Sequence, residues 1–244
     1  MGKVACIVQA RIGSTRLPGK VLKTLNGIPM LTHVIERLKQ AKSIDHIIIA
    51  TTYMESDKCI VGLAEKNDVL CYVGSPEDVL SRYAGAAGTV DADIIIRVTS
   101  DCPLIDPITI DNTVKFFEEH EYDYVRAGVV SGFPRGLDTE VFTREALMKA
   151  HAAATDAPSR EHVTFYMYMH PGEFAVGQYN APADMYHPEW RLCVDETDDL
   201  RLIEDIYNRL YQKDEIINIK DVIRLLENNP ELLEINSNVA QKKV

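Results

Sequence analysis

The chain has 244 residues and a formal net charge of -11, with 37 acidic against 26 basic side chains. Nucleic acid is excluded as a partner, because no basic face offsets the acidity. The 46% hydrophobic content supports a substantial core, and no apolar run approaches the ~20 residues that span a membrane.

In chain order, short β-rich runs alternate with helical patterns. The strands are predicted at Val4–Val8, His46–Ala50, Val69–Val73, Ile94–Val98 and Tyr122–Arg126. Helices are predicted near Met30–Lys42, Asp57–Asn67, Pro76–Val90 and Ile108–His120. Pro29 and Pro107 suit helix first turns, and Leu31, Val34, Ile35 and Leu38 share one helix face. Ile47-Ile48-Ile49 and Ile94-Ile95-Ile96 read as strands covered on both sides. The alternation implies an α/β fold with a mostly parallel sheet between helices, and ligands then sit beyond the strands' carboxyl ends. Three such ends carry polar residues: Gln9–Lys20, Thr51-Thr52 and Thr99-Ser100-Asp101.

The second half is less regular. Gly128–Gly136 reads as a loop or hairpin link. Asp138–Phe142, Phe174–Tyr179 and Trp190–Val194 read as strands, and Arg144–Ala154, Glu161–Met169, Asp198–Tyr211 and Lys220–Leu226 as helices. The polar tail Asn236–Val244 is expected to fray. Five scattered cysteines, with no C-x-x-C pair, argue against a disulfide framework or zinc site. Met1-Gly2-Lys3 leads straight into a strand rather than a secretory leader, so the cytoplasm is the expected compartment.

The most informative segment is Gln9 to Lys20, Gln-Ala-Arg-Ile-Gly-Ser-Thr-Arg-Leu-Pro-Gly-Lys. Glycines allow close backbone approach to an anion, and Arg11, Arg16 and Lys20 can neutralise it. A Walker A loop is excluded: five residues separate Gly13 from Gly19, and Val21 follows Lys20. The dinucleotide fingerprint is absent too. The loop therefore reads as a polyphosphate site of another kind, against the alternative of a solvated turn.

This segment resembles the signature of the cytidylyltransferases that activate acidic sugars, the 3-deoxy-manno-octulosonate and acylneuraminate enzymes. Ala10, Arg11, Gly13, Ser14, Arg16, Leu17, Pro18, Gly19 and Lys20 match it. Four more segments resemble the spore coat polysaccharide branch, SpsF: Gly74–Arg82, Arg97–Ile105, Gly136–Phe142 and Ser159–Thr164. The likeness spans residues 3 to about 211. It implies a three-layer, Rossmann-like nucleotide-diphospho-sugar transferase fold with a small irregular α+β subdomain. Residues 1–211 would form one nucleotidyltransferase domain with an acceptor and dimerisation subdomain at about 127–180, and 212–244 would add helices and a tail.

The resemblance also implies roles. CTP would be bound by Ala10, Arg11, Gly13, Ser14, Arg16, Lys20, Thr51, Ser75 and Arg82, with Arg11, Lys20 and Asp101 catalytic. N–H groups near Gly13 and Ser14 would help hold the phosphates. Arg82 could instead lie exposed on its helix. Asp101 and Asp195 would hold magnesium, a cation that takes few protein carboxylates beside phosphate oxygens. Asp198 and Asp199 would be capping acids. The sugar acceptor would meet Arg135, Asp138, Glu140, Arg160 and His162. For Arg160 the alternative is surface charge at a helix start capped by Ser159, and for His162 a packed or capping role. A homodimer is expected. The competing readings are a glycosyltransferase of related fold, for which Asp91-Ala92-Asp93 stands at the wrong end of its strand, and a non-catalytic nucleotide sensor.

Overall fold

A computed structural model describes residues 2–241. Its elements in chain order are β1 (Val4–Gln9), β2 (Thr24–Leu25), β3 (Ile28–Pro29), α1 (Met30–Leu38), β4 (His46–Thr52), α2 (Lys58–Lys66), β5 (Leu70–Gly74), α3 (Val79–Val90), β6 (Ile94–Thr99), α4 (Pro107–Glu118), β7 (Tyr124–Ala127), β8 (Thr139–Thr143), α5 (Arg144–Ala153), α6 (Ala157–Glu161), α7 (Phe165–Met169), β9 (Val176–Gln178), α8 (Thr197–Leu210) and α9 (Ile219–Asn228). Seven strands form one sheet in the order β5-β4-β1-β6-β8-β7-β9. All neighbours pair in parallel except β8, which runs against both β6 and β7.

The pleat sorts β1 onto two cores. Cys6 and Val8 join Leu31, Val34 and Ile35 of α1, Ile60 of α2 and Ile110 of α4 on one face. Ala5 and Ile7 join Leu80 and Tyr83 of α3 and Leu147 of α5 on the other. This gives the three-layer α/β arrangement read from the sequence. A third apolar cluster unites α8 and α9 with Leu104, Phe133, Trp190 and Leu192. The C-terminal helices are thereby packed against the segments that follow β6 and precede α8.

Four expectations are corrected. The predicted strand Trp190–Val194 is not a strand; it makes only an isolated parallel bridge, Arg191 beside Arg135. The predicted helix Glu161–Met169 is two short helices, α6 and α7, because the chain leaves helical geometry at His162 (φ -108°, ψ 82°). Its cap is Asp156, whose carboxylate accepts from the Ser159 N–H at 2.9 Å, and not Ser159. The tail does not fray from Asn236: that side chain is buried and donates to the Arg191 carbonyl and to Asp199, both at 2.9 Å. Residues 242–244 of the tail lie outside the described residues. The β2–β3 hairpin was not predicted at all.

One buried cation links these layers. Arg37 of α1 donates from Nε to the Ile105 carbonyl and from Nη1, at 2.7 Å, to the Ile217 carbonyl. It thereby ties α1 to the segment beyond Asp101 and to the entrance of α9. Its partners are neutral, and burial lowers its pKa. Arg37→Ala would remove the packed stem and orphan both carbonyls. A destabilisation of about 3 kcal/mol is expected, read as a lower urea midpoint with little change in slope.

Candidate active site

The cleft opens at the carboxyl ends of β1 and β6, as an open parallel sheet dictates. Its volume is about 620 Å³, and residues from Gln9 to Gln241 line it. The phosphate-loop candidates arrive directly from β1. Ala10 continues the sheet, donating its N–H to the Ala50 carbonyl at 3.2 Å. The chain then winds around the Ile12 carbonyl, which accepts from the N–H groups of Ser14 at 2.7 Å and Gly19 at 3.1 Å. The Ser14 N–H therefore faces its own loop, contrary to the expectation that it points at a ligand. Gly19 holds φ +67°, a left-handed conformation that suits glycine and swings Lys20 into the cleft. A Cβ at Gly13 would meet no protein atom within 4 Å, so internal crowding does not require glycine there.

The decisive contact is made by Lys20. Its Nζ lies 2.6 Å from Asp101 Oδ2 and 2.8 Å from Asp195 Oδ1, and it donates to the Val194 carbonyl at 3.0 Å. Arg16 Nη2 also reaches Asp195 Oδ1, at 2.9 Å. Asp101 follows the end of β6, and its carbonyl accepts the Val194 N–H at 2.8 Å, which holds the two aspartate segments side by side. Two carboxylates thus converge on one point, with an ammonium between them. That arrangement fits a divalent cation that takes one or two protein carboxylates and completes its shell with phosphate oxygens and water. No group of three or more metal-ligating side chains occurs among the described residues.

Burial acts to raise the Asp195 carboxyl, but Lys20, Arg16 and Arg191 outweigh it and hold the group at about 2. The same carboxylates push the Lys20 ammonium up despite its burial.

The remaining candidates divide. Arg11 lines the cleft and reaches the Pro76 carbonyl at 3.4 Å. Arg82 lines it as well, yet only 2% of it is exposed, which removes the exposed-helix alternative. Its guanidinium donates to the Ser75 carbonyl, and burial lowers its pKa. Thr51 and Ser75 do not line the cleft. The Thr51 hydroxyl is buried without a hydrogen-bond partner among the described residues, and the Ser75 hydroxyl accepts from the N–H groups of Glu77 and Asp78 in a local turn.

On the opposite wall stand Arg135, Asp138, Glu140 and His162. Asp138 accepts from the Gly136 N–H at 2.8 Å, and burial raises its pKa. Glu140 pairs with Arg97 and accepts from the hydroxyls of Thr164 at 2.6 Å and Tyr124 at 2.5 Å. Burial acts to raise its pKa, and these partners together hold it below the ordinary glutamate range. Arg160 lies apart from the cleft, bonded to Asp78 at 3.3 Å and to the His151 ring and carbonyl at 2.9 and 3.0 Å. Asp199 accepts the N–H groups of Asp195 and Glu196, both at 3.0 Å, at the start of α8. Asp198 instead pairs with Arg201 at 2.8 Å. Asp91 and Asp93 sit at the far end of the sheet, where they hold Arg144 and the Lys3 N–H.

The sequence reading missed Asp57, Arg97 and Arg126. Asp57 is buried and accepts the Ile12 N–H at 2.7 Å and the Thr52 hydroxyl, so it anchors the phosphate loop to the end of β4. Arg97, Glu140 and Arg126 stand in register across β6, β8 and β7. Arg126 lies over the Tyr168 ring at 5.5 Å, and Arg97 and Arg126 each carry a buried Nε with no hydrogen-bond partner among the described residues. Both line the cleft. The available signals were an arginine within each of two predicted strands and, for Arg97, its place at the head of the segment Arg97–Ile105.

The cytidylyltransferase family model matches residues 5–229. The chain belongs to the cytidylyltransferase family. It is 31% identical to the spore coat polysaccharide biosynthesis protein SpsF of Bacillus subtilis, over 95% of this chain and 97% of that one. It is also 31% identical to the 8-amino-3,8-dideoxy-manno-octulosonate cytidylyltransferase of Shewanella frigidimarina, over 83% of this chain and 86% of that one. Among solved structures, a cytidylyltransferase of Leptospira borgpetersenii superposes with TM-score 0.90 at 30% identity, with full coverage of both chains. CMP:2-keto-3-deoxy-manno-octonic acid synthetase, solved with CTP, has the same fold (TM-score 0.62, 17% identity, 85% of this chain and 99% of that one). Nothing in this cytidylyltransferase's described residues is long and apolar enough to cross a membrane as a helix.

The low Asp195 pKa sets a pH dependence. A carboxylate depressed below its unfolded value of 3.8 stabilises the fold above about pH 4, and that contribution is lost as pH falls toward about 2. The stability difference between wild type and Asp195→Asn is therefore expected to shrink over this window, measured by denaturant unfolding at each pH.

Proposed function

We propose that this cytidylyltransferase transfers the cytidylyl group of CTP to a hydroxyl of an acidic sugar, releasing pyrophosphate, to supply an activated sugar for polysaccharide synthesis. The observation that carries this reading is the convergence of Lys20, Asp101 and Asp195 at the mouth of a cationic loop. The relatives supply the cytidylyl donor and the sugar class: one is an amino-dideoxy-octulosonate cytidylyltransferase, and another belongs to spore coat polysaccharide biosynthesis.

In this reading the acceptor hydroxyl gives up its proton to solvent water as its oxygen attacks the α-phosphorus in line. The new O–P bond forms as the bond from the α-phosphorus to the bridging oxygen breaks, and that oxygen's electron pair leaves with pyrophosphate. Such chemistry needs positioning and charge stabilisation more than covalent help. Arg11, Arg16 and Lys20 hold the β- and γ-phosphates and offset the charge that grows on the leaving group. Asp101 and Asp195 would hold magnesium, which when bound would draw charge from phosphate oxygens and lower the pKa of the acceptor hydroxyl. Ala10 and Arg82 border the nucleoside. Arg135, Asp138 and His162 border the acceptor, and Glu140 acts there by holding Arg97. The reading includes cytoplasmic location, where CTP is at hand, and a homodimer paired through residues 127–180, a region in which Met148 and Met169 are exposed.

The test is incubation with CTP, Mg²⁺ and a panel of 2-keto sugar acids, with pyrophosphate release as the readout. Lys20→Ala and Asp101→Ala, shown folded by circular dichroism, are expected to lower kcat by about 10²–10³-fold. Tight CTP binding with no turnover on any acceptor, unaffected by Asp101→Ala, would instead mark a nucleotide sensor.

A further inference from the structure

Asp195 uses its two oxygens differently. Oδ1 faces the cleft and takes Lys20 and Arg16. Oδ2 accepts from Arg191 Nη2 at 2.7 Å. Arg191 does not itself line the cleft. We propose that Arg191 is a positioning residue that fixes the Asp195 carboxylate for its work in the cleft, and that the chain near Asn236 holds Arg191 in place. The inference rests on the reading of Asp195 as a working carboxylate of the site.

The guanidinium is held on every side. Nε donates to Asp199 Oδ1 at 2.8 Å, Nη2 also reaches Asp199 Oδ2 at 3.2 Å, and Nη1 donates to Gln241 Oε1 at 2.7 Å. Asp199 is fully buried. Asn236, buried as well, donates from one amide nitrogen to Asp199 Oδ1 and to the Arg191 carbonyl. A planar fork can serve Asp195, Asp199 and Gln241 together, whereas a lysine ammonium has neither the span nor the fixed geometry to do so. With Oδ2 pinned by a charge-assisted hydrogen bond, the short Asp195 side chain has little rotameric freedom, and Oδ1 stays toward the cleft.

A structural role accounts for only part of the arrangement. Asp199 caps α8 through the N–H groups of Asp195 and Glu196, and Arg191 compensates the charge of that buried carboxylate. Beyond that compensation, Arg191 Nη2 reaches a carboxylate of the cleft, Asp195. Its backbone has a second tie to the site. Arg135 donates its N–H to the Trp190 carbonyl at 3.0 Å, and the Leu192 N–H donates to the Arg135 carbonyl at 2.7 Å. Gly136 (φ +106°) lies so close that a Cβ there would come within 2.6 Å of the Leu192 backbone. Arg191 is thus held from the acceptor wall by its main chain and from the C-terminal segment by its side chain.

The test compares wild type with Arg191→Ala, Arg191→Lys, Asn236→Ala and Asp195→Ala. Binding of Mn²⁺–CTP is followed by water-proton relaxation, binding of CTP alone by equilibrium dialysis with EDTA, and folding by thermal melts. Arg191→Ala is expected to weaken Mn²⁺–CTP binding by about 10–100-fold, the usual cost of losing a partner behind a metal ligand. CTP alone should bind as in wild type, and Arg191→Lys should recover part of the loss. Asn236→Ala keeps the arginine but removes one of its supports, and should weaken Mn²⁺–CTP binding by about fivefold, one hydrogen bond's worth; it keeps the test open if Arg191→Ala fails to fold. Equal loss with and without metal, or Mn²⁺–CTP binding unchanged in both folded variants while Asp195→Ala abolishes it, would overturn the positioning role. Unchanged binding in Asp195→Ala would instead remove the underlying assignment of Asp195.

Discussion

The architecture of the cleft depends on one ammonium group. Lys20 joins Asp101 and Asp195, which come from distant parts of the chain. Two carboxylates brought this close repel each other unless a cation sits between them. Everything nearby serves that placement. The left-handed turn at Gly19 aims the lysine, β6 delivers Asp101, and the Val194 N–H on the Asp101 carbonyl brings Asp195 alongside. In a chain with net charge -11, the loop supplies cations where the fold concentrates anions. An anionic ligand and its counter-ion can then exchange for contacts that the protein already makes internally.

Arginines elsewhere follow two patterns. Arg37 and Arg191 are tied down within the protein, one to backbone carbonyls and the other to carboxylates and an amide. They fix the elements that carry the aspartates. Buried donors without a partner among the described residues remain on Arg37 (Nη2) and Arg82 (Nε) as well as on Arg97 and Arg126 (Nε). Arg97 and Arg126 differ from Arg37 in lining the cleft from its strands. Glu140 stands between them and is itself bound by Arg97 and two hydroxyls, which leaves Arg126 without a carboxylate partner among the described contacts.

The parallel half of the fold was legible because its signals are local. The isoleucine runs of β4 and β6, the prolines at α1 and α4, and the periodicity of α1 each act within a few residues. The phosphate loop was legible for the same reason, being contiguous. What escaped depends on distant partners. β2 and β3 have two residues each and carry no period to detect. Trp190–Val194 has strand-like composition, but its backbone pairs only through one bridge. The break at His162 falls just before the apolar-aromatic run Phe165–Met169, in a stretch that reads as a single helix. Arg97 and Arg126 become neighbours only because β8 inserts between their strands, and Arg191 and Asn236 meet through the packing of the C-terminal helices. Arg160 looked like a ligand of the acceptor because of its motif, yet its partners, Asp78 and His151, could not be foreseen.

β8 runs opposite to the other six strands, so it presents its beginning, not its end, at the rim of the cleft. The loop from Gly128 to Asp138 therefore enters from the same side as the phosphate loop, though it belongs to a different stretch of chain. One reversed strand splits the rim into two independently encoded halves. Insertions or substitutions in the later half can reshape that wall of the cleft without disturbing the register of β1, β4 and β6 that holds the earlier one.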